Sequence, residues 1–226
     1  MTAPELATRL RLYRVLPTLQ IYADDEADAA GSSLKDLPAI IDLLVEAQYP
    51  AVELLHRSSA TWEALTLIRR QAPQLSIGVG TLCTLADMKR ARDAGAHFGV
   101  SPGLSPSLVR DAADANWPYL PGISTASEVM QAQELGLSCA KFFPAAALGA
   151  AYLQQLAAPF PSLSWVPSGG LRASNYQDFA QLPSVACVSG SWMLPSPAVL
   201  RPSTRAANLS ALRNFRESLA STPRQK

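Results

Sequence analysis

The chain has almost no charge to spare. Nineteen Lys and Arg residues face eighteen Asp and Glu, a formal net charge of +1 over 226 residues. No global field draws such a chain to nucleic acid or to an anionic membrane surface. Histidine is scarce: there are only His56 and His97, and no His-x-His, His-x-x-x-His or Cys-x-x-Cys pair. A structural zinc site is therefore not expected, and a catalytic one would lack its usual ligands. The three cysteines, Cys83, Cys139 and Cys187, are odd in number and far apart. They read as buried thiols filling a core in a reducing cytoplasm, not as a disulfide frame. No apolar run reaches the roughly 18 residues of a membrane-spanning helix. Residues 1–14 mix Glu5 and three arginines with apolar side chains. They lack a signal peptide's apolar core and read as a leading N-terminal amphipathic helix.

What is present suits one large domain. Hydrophobic residues make up 48% and charged residues 16% of the sequence, enough apolar material for a sizeable core. No boundary or low-complexity segment divides 1–226. Short apolar runs at 15–22, 51–55, 75–80, 97–101, 117–121, 138–143, 163–166 and 184–189 read as eight strands. Helical stretches alternate with them. Thr84 with Asp87, Thr125 with Glu128 and Ser174 with Gln177 supply N-terminal caps, and Ser105-Pro106 opens another helix. Segment 23–36 is a polar loop, longer than usual for a strand-to-helix connection. Strict alternation predicts a parallel sheet, and eight units predict a closed (β/α)8 TIM barrel behind the leading helix. An open doubly wound sheet is the alternative, but no Gly-x-Gly-x-x-Gly follows the first strand.

In such a barrel the chemistry sits at the C-terminal ends of the strands. The sixth strand carries Lys141 within Ala-Lys-Phe-Phe-Pro. Alternation puts Cys139, Lys141 and Phe143 on one face. Burial disfavours an ammonium and lowers its pKa from about 10.4; a neutral amine attacks ketones and aldehydes to give a Schiff base. A lysine that snorkels to the sheet edge, or pairs with a carboxylate, fits the same stretch. Glu53 and Arg57, at the end of the second strand, share a face if the strand stays extended. A carboxylate inside an apolar barrel must be paired or working; a structural Glu53–Arg57 ion pair is one possibility. The third strand ends in Gly80-Thr81, the fourth in Ser101-Pro102-Gly103, the fifth in Pro121-Gly122-Ile123-Ser124-Thr125, each compatible with a turn or a ligand contact. Pro167-Ser168-Gly169-Gly170 and Gly190-Ser191-Trp192 follow strands seven and eight, where backbone N–H groups can cradle a phosphate.

Taken together, Val52-Glu53-Leu54 with Arg57, Val79-Gly80-Thr81, Ser101-Pro102-Gly103-Leu104, Pro121-Gly122-Ile123-Ser124-Thr125, Lys141-Phe142-Phe143-Pro144-Ala145, Pro167-Ser168-Gly169-Gly170 and Gly190-Ser191-Trp192 resemble the 2-keto-3-deoxy-6-phosphogluconate (KDPG) and 4-hydroxy-2-oxoglutarate (KHG) aldolases. The pieces span nearly the whole chain in the family's order. The resemblance implies a cytoplasmic class I aldolase on a (β/α)8 barrel, a homotrimer, with no metal or other cofactor. It implies Lys141 as the Schiff-base lysine and Glu53 as the proton shuttle. Arg57 and Thr81 would hold the pyruvate carboxylate, and Pro102 and Phe143 would wall its pocket. Ser168, Gly169, Gly170 and Ser191 would take the distal hydroxyls and phosphate. The implied substrate is a small 2-keto acid, with neither nucleic acid nor membrane as a partner. The sequence departs from the family at Gln20, in the long loop 23–36, at Gln48-Tyr49-Pro50, at Ala145-Ala146 and at Ser168. These departures leave open whether the acid derives from gluconate or galactonate. On the residues alone, an isomerase or synthase of another phosphate-binding barrel also fits.

Overall fold

A computed structural model describes residues 3–24, 32–194, 200 and 202–221. Within them the elements run α1 (Ala3–Tyr13), β1 (Val15–Leu19), β2 (Ile21–Tyr22), β3 (Ser32–Ser33), α2 (Leu37–Glu46), β4 (Ala51–Leu55), α3 (Thr61–Gln71), β5 (Ser76–Gly80), α4 (Leu85–Asp93) and β6 (Phe98–Val100). The chain continues through α5 (Pro106–Asp114), β7 (Tyr119–Leu120), β8 (Gly122–Ile123), α6 (Ala126–Glu134), β9 (Cys139–Phe142), α7 (Ala145–Leu148), α8 (Ala150–Ala157), β10 (Ser164–Pro167), α9 (Tyr176–Ala180), β11 (Val188–Gly190), a 3-10 turn (Pro202–Thr204) and α10 (Arg205–Ser221). Strands and helices alternate, and every strand pair is parallel. The long loop 23–36 contains β3; its residues 25–31 lie outside the described ones.

The strands fall into a six-stranded sheet, β11-β1-β4-β5-β6-β7, and a three-stranded sheet, β10-β9-β8. The predicted fifth strand, 117–121, is two short pieces, β7 and β8, split at Pro121, which has no N–H to give a ladder. The first piece pairs with β6 and the second with β9. Pro121 still accepts from Lys141 N at 2.9 Å, so the two sheets meet through one segment. On the other side, Trp165 bridges Val185 in parallel fashion, and Ala186 N donates to Trp165 O at 2.8 Å.

The predicted first strand, 15–22, also divides. The main sheet takes Val15–Leu19, and Ile21–Tyr22 turns away to pair with Ser32–Ser33 of the long loop. Ser32 N donates to Gln20 O at 3.3 Å, a long-range partner that a local pattern does not reveal. Both capping boxes predicted at Thr84/Asp87 and Thr125/Glu128 are formed. The predicted Ser174/Gln177 cap is not: α9 begins after Asn175 with no side-chain cap bond. Asn175 Oδ1 instead accepts from Arg172 N at 2.8 Å, which fixes the turn before the helix.

Alternation along the strands divides the core in two. Val52, Leu54, Ile77, Val79 and Ala140 pack outward under the helices. Their strand neighbours Ala51, Phe98, Val100, Leu120, Cys139 and Val166 form a second cluster, which Leu6, Ala7 and Leu10 of α1 join. Ala51, Phe98 and Cys139 are the first residues of their strands, so α1 covers the N-terminal ends and the opposite ends stay open. Cys139 and Cys187 are buried in this cluster, but Cys83 is exposed. It lies in the turn after β5, where Leu82 takes the buried place. Burial pushes the Cys139 thiol up to about 12, well above the ordinary range.

Candidate active site

The strands' alternation delivers Lys141, third in β9, and Glu53, third in β4, to the inner face. Both are buried, Lys141 6% exposed and Glu53 not at all. Lys141 Nζ stands 3.1 Å from Glu53 Oε1. Ser189 Oγ donates to Glu53 Oε2 at 3.4 Å. A charge buried here is tolerable only because its partner is buried with it. The alternative of a structural Glu53–Arg57 ion pair is not what forms. Arg57, just past the strand, donates from Nε to Thr81 Oγ1 at 3.2 Å.

Above the pair opens a cavity of about 550 Å³. Arg57, Lys141, Phe143, Ser168, Gly169, Gly170 and Ser191 all line it. Seven predicted site residues thus meet in one cleft, with Glu53 beneath Lys141 and Thr81 bonded to Arg57. Pro102 does not line the cleft: it is exposed, and its carbonyl lies against Gly122, where a Cβ would come within 2.1 Å of the oxygen. Ser101, which precedes it, accepts from Tyr119 Oη and donates to Gly103 O, both at 2.6 Å. These bonds tie the turn to β7, and Gly122, against which it lies, is the register partner of Lys141.

The loops after β9 and β10 are stitched together by backbone bonds. Ala145 N donates to Ser168 O at 2.8 Å and Ala146 N to Gly169 O at 2.9 Å. Gly169 (φ +93°) and Gly170 (φ +73°) turn in the left-handed region, which a side chain would strain. At Gly169 a Cβ would also strike the Phe143 ring at 2.7 Å. Phe143 offers its face to Lys141 Nζ, 5.6 Å from the ring centroid.

Several cleft residues are not among the site residues expected from sequence: Thr18 on β1, Leu55, Leu171 and Arg172, together with Pro144 and Trp192 from the quoted motifs. Thr18 could have been found by register, since it pairs with Glu53 across β1 and β4, but register is not legible in one sequence. Trp192 packs, stacking on Tyr176 at 6.2 Å and meeting Phe215 edge-on at 6.0 Å, and it lines the cleft as well. Among the described residues no group of three or more His, Cys, Asp and Glu is placed to hold a metal ion, and no helix is long and apolar enough to cross a membrane.

The arrangement is a buried amine beside a proton acceptor, under a cleft with a guanidinium on one side and glycine loops on another. The family model "KDPG and KHG aldolase" matches residues 7–207. The chain belongs to the KDPG/KHG aldolase family. As a member it is an enzyme of the aldolase class, a carbon–carbon lyase. It is 40% identical over 157 residues, 69% of this chain and 74% of the relative, to the 2-dehydro-3-deoxy-phosphogluconate aldolase of Dickeya dadantii. The enzyme of that name from Pseudomonas aeruginosa is 37% identical over 195 residues, 86% of this chain and 84% of the relative. Among solved structures, KDPG aldolase from Legionella pneumophila superposes with a TM-score of 0.81 at 28% identity, covering 92% of this chain and 96% of that one. That structure holds pyruvate captured as a covalent carbinolamine intermediate.

Proposed function

We propose that the chain is a class I aldolase that cleaves a 2-keto-3-deoxy-6-phospho sugar acid of the KDPG type to pyruvate and glyceraldehyde 3-phosphate. The observation that carries this reading is the 3.1 Å contact between Lys141 Nζ and Glu53 Oε1 at the floor of the cleft. An ammonium cannot attack a carbonyl; handing one proton to the adjacent carboxylate frees the lone pair without recourse to solvent. Lys141 Nζ then forms a bond to C2 of the keto acid while Glu53 passes its proton to the carbonyl oxygen; Glu53 next takes a proton from the nitrogen, which leaves a neutral carbinolamine. Glu53 gives that proton to the hydroxyl, water leaves, and the protonated imine forms.

The protonated imine is the electron sink. Glu53, again a carboxylate, takes the C4 hydroxyl proton; the C3–C4 bond breaks, its electron pair moves into an enamine, and the aldehyde departs. Protonation at C3 and addition of water release pyruvate and regenerate the amine. Arg57, steadied by Thr81, offers a planar fork to the substrate carboxylate. Phe143 walls the reacting end, and Ser168, Gly169, Gly170 and Ser191 receive the distal hydroxyls and phosphate. 4-Hydroxy-2-oxoglutarate, which shares the pyruvate half and ends in a second carboxylate, suits the same anion loops.

The scaffold we assign to this chemistry is a single domain, a closed (β/α)8 barrel in which β7 and β8 act as one strand. The parallel pairings from β11 through β7, those from β8 through β10, and the Trp165–Val185 bridge support closure. We assign it to the cytoplasm as a homotrimer; light scattering checks the assembly.

Borohydride reduction in the presence of pyruvate tests the mechanism. A covalent adduct is expected on Lys141, absent from Lys141→Arg, and formed undiminished in EDTA. No adduct, or one on Lys35, Lys89 or Lys226, overturns the reading.

A further inference from the structure

Three cations reach the cleft, and two are already engaged. Lys141 contacts Glu53 and Arg57 contacts Thr81. The third, Arg172, lines the cleft beyond Gly169 and Gly170, and among the described residues no carboxylate pairs with it. Its main chain is firmly held. Arg172 N donates to Asn175 Oδ1 at 2.8 Å, its carbonyl accepts from Asn175 N and Tyr176 N at 3.1 Å each, and Asn175 Nδ2 donates to Gly170 O at 3.5 Å. A fixed base thus carries an exposed guanidinium, unpaired with any carboxylate among the described residues, on the same rim as Gly170 and Ser191.

Arg172 is not redundant with Arg57. Arg57 follows β4 and Arg172 follows β10, and β11 and β1 lie between them. Three inter-strand steps of about 4.8 Å put roughly 14 Å of sheet between the two loops. Two guanidiniums so placed suit two anionic ends of one ligand. With Arg57 nearest the carboxylate, the end left for Arg172 is the terminal phosphate, whose oxygens match the guanidinium fork.

We propose that Arg172 is the residue that sets preference for the phosphorylated substrate, binding the terminal phosphate together with the backbone of Gly169 and Gly170. The glycine amides alone can donate to a hydroxyl oxygen or a phosphate oxygen; the guanidinium adds a charge that only the phosphate answers. This rests on the aldolase reading for the identity of the rest of the ligand, but not for the recognition of a phosphate ester at this rim.

The test compares wild type, Arg172→Met and Arg172→Lys in two assays, after thermal melts establish that each variant folds. In the first, KDPG and the same acid without its phosphate are cleaved side by side. In Arg172→Met, KM for the phosphorylated acid should rise roughly 10- to 100-fold. Its kcat should hold within about threefold, because a contact to a non-reacting group is made equally in ground and transition states. The unphosphorylated acid should lose less than about threefold in kcat/KM, and Arg172→Lys should recover part of the deficit. Equal losses on both acids, or no loss on the phosphorylated one, overturn the proposal. The second assay titrates glycerol 3-phosphate calorimetrically and needs no turnover. If wild type forms no pyruvate adduct, the aldolase reading falls and this titration still judges Arg172. Wild-type binding lost in Arg172→Met supports the proposal; binding retained in the variant, or absent in wild type, overturns it.

Discussion

The carboxylate of Glu53 occupies the space that a side chain at Gly80 would need. A Cβ there would stand 2.2 Å from Oε1, the same oxygen that accepts from Lys141 Nζ. The requirement for glycine at the end of β5 is thus one of volume. Gly80→Ala must push Oε1 aside while Lys141 and Ser189 still hold the carboxylate. A misplacement on the scale of 1 Å costs about 100-fold in rate, so kcat should fall by about that factor while circular dichroism stays native. Full activity would mean that the carboxylate swings clear at no cost.

Glu53→Gln keeps the shape and a hydrogen-bonding group but cannot accept a proton. Its kcat should fall by about 10²- to 10⁴-fold, and borohydride trapping with pyruvate should slow alongside it, since carbinolamine formation and dehydration use the same relay. A variant that traps pyruvate at the wild-type rate would assign the relay to another group.

Thr81 sits at φ +64°, a conformation that is strained for a β-branched residue and costs on the order of 1–3 kcal/mol. Thr81→Gly removes the strain and with it the oxygen that Arg57 bonds. The melting temperature should rise by about 2–4 °C for each 1 kcal/mol relieved, and KM for the keto acid should rise as Arg57 loses its support. A lower melting temperature together with an unchanged KM would show that neither the strain nor the support is as described.

His97 titrates below the ordinary histidine range, because burial disfavours its charged form and Arg69 adds repulsion. Its Nδ1 accepts from Ile77 N at 3.0 Å, a bond that only the neutral ring can take. In the unfolded chain the imidazole protonates near pH 6.5. Below that value the unfolded state binds the extra proton, so the stability that His97 contributes is complete above about pH 6.5 and is lost as pH falls toward the folded-state value. Melting temperatures measured from pH 7.5 to 5 should decline more gently for His97→Gln than for wild type. Parallel curves would place the acid sensitivity elsewhere.

Much of the site was legible because it depends on strand alternation, a local property. Glu53 between Val52 and Leu54 could face only one way, and Lys141 between Ala140 and Phe142 likewise. The capping boxes at Thr84 and Thr125 were legible for the same reason, since donor and acceptor lie three residues apart. What depends on remote partners was not. The first strand leaves the sheet at Gln20 because Ser32 returns to meet it, and Glu53 chooses Lys141 over the nearer Arg57 because β4 and β9 face each other across the interior. Arg172 is a solitary exposed arginine in sequence. Only the turn that Asn175 fixes brings it to the cleft. Pro102 carried a family expectation; its carbonyl lies against Gly122, the strand partner of Lys141, a proximity that no local pattern reveals.

Trp192 ties the last helix to the cleft rim, although among the described residues no α10 side chain lines the cleft. The indole fills the space beside Gly190, where a Cβ would lie 2.0 Å from it, and leans on Phe215 of α10. The rim assigned above to the phosphate is therefore buttressed by α10, while Lys141 and Glu53 are anchored in paired strands. Terminal helices loosen at lower cost than paired core strands. On warming, the grip on the departing aldehyde's phosphate should slacken before imine chemistry fails. Pyruvate trapping should therefore persist to temperatures at which KM for the phosphorylated acid has already climbed, and a simultaneous collapse of both would deny α10 that supporting part.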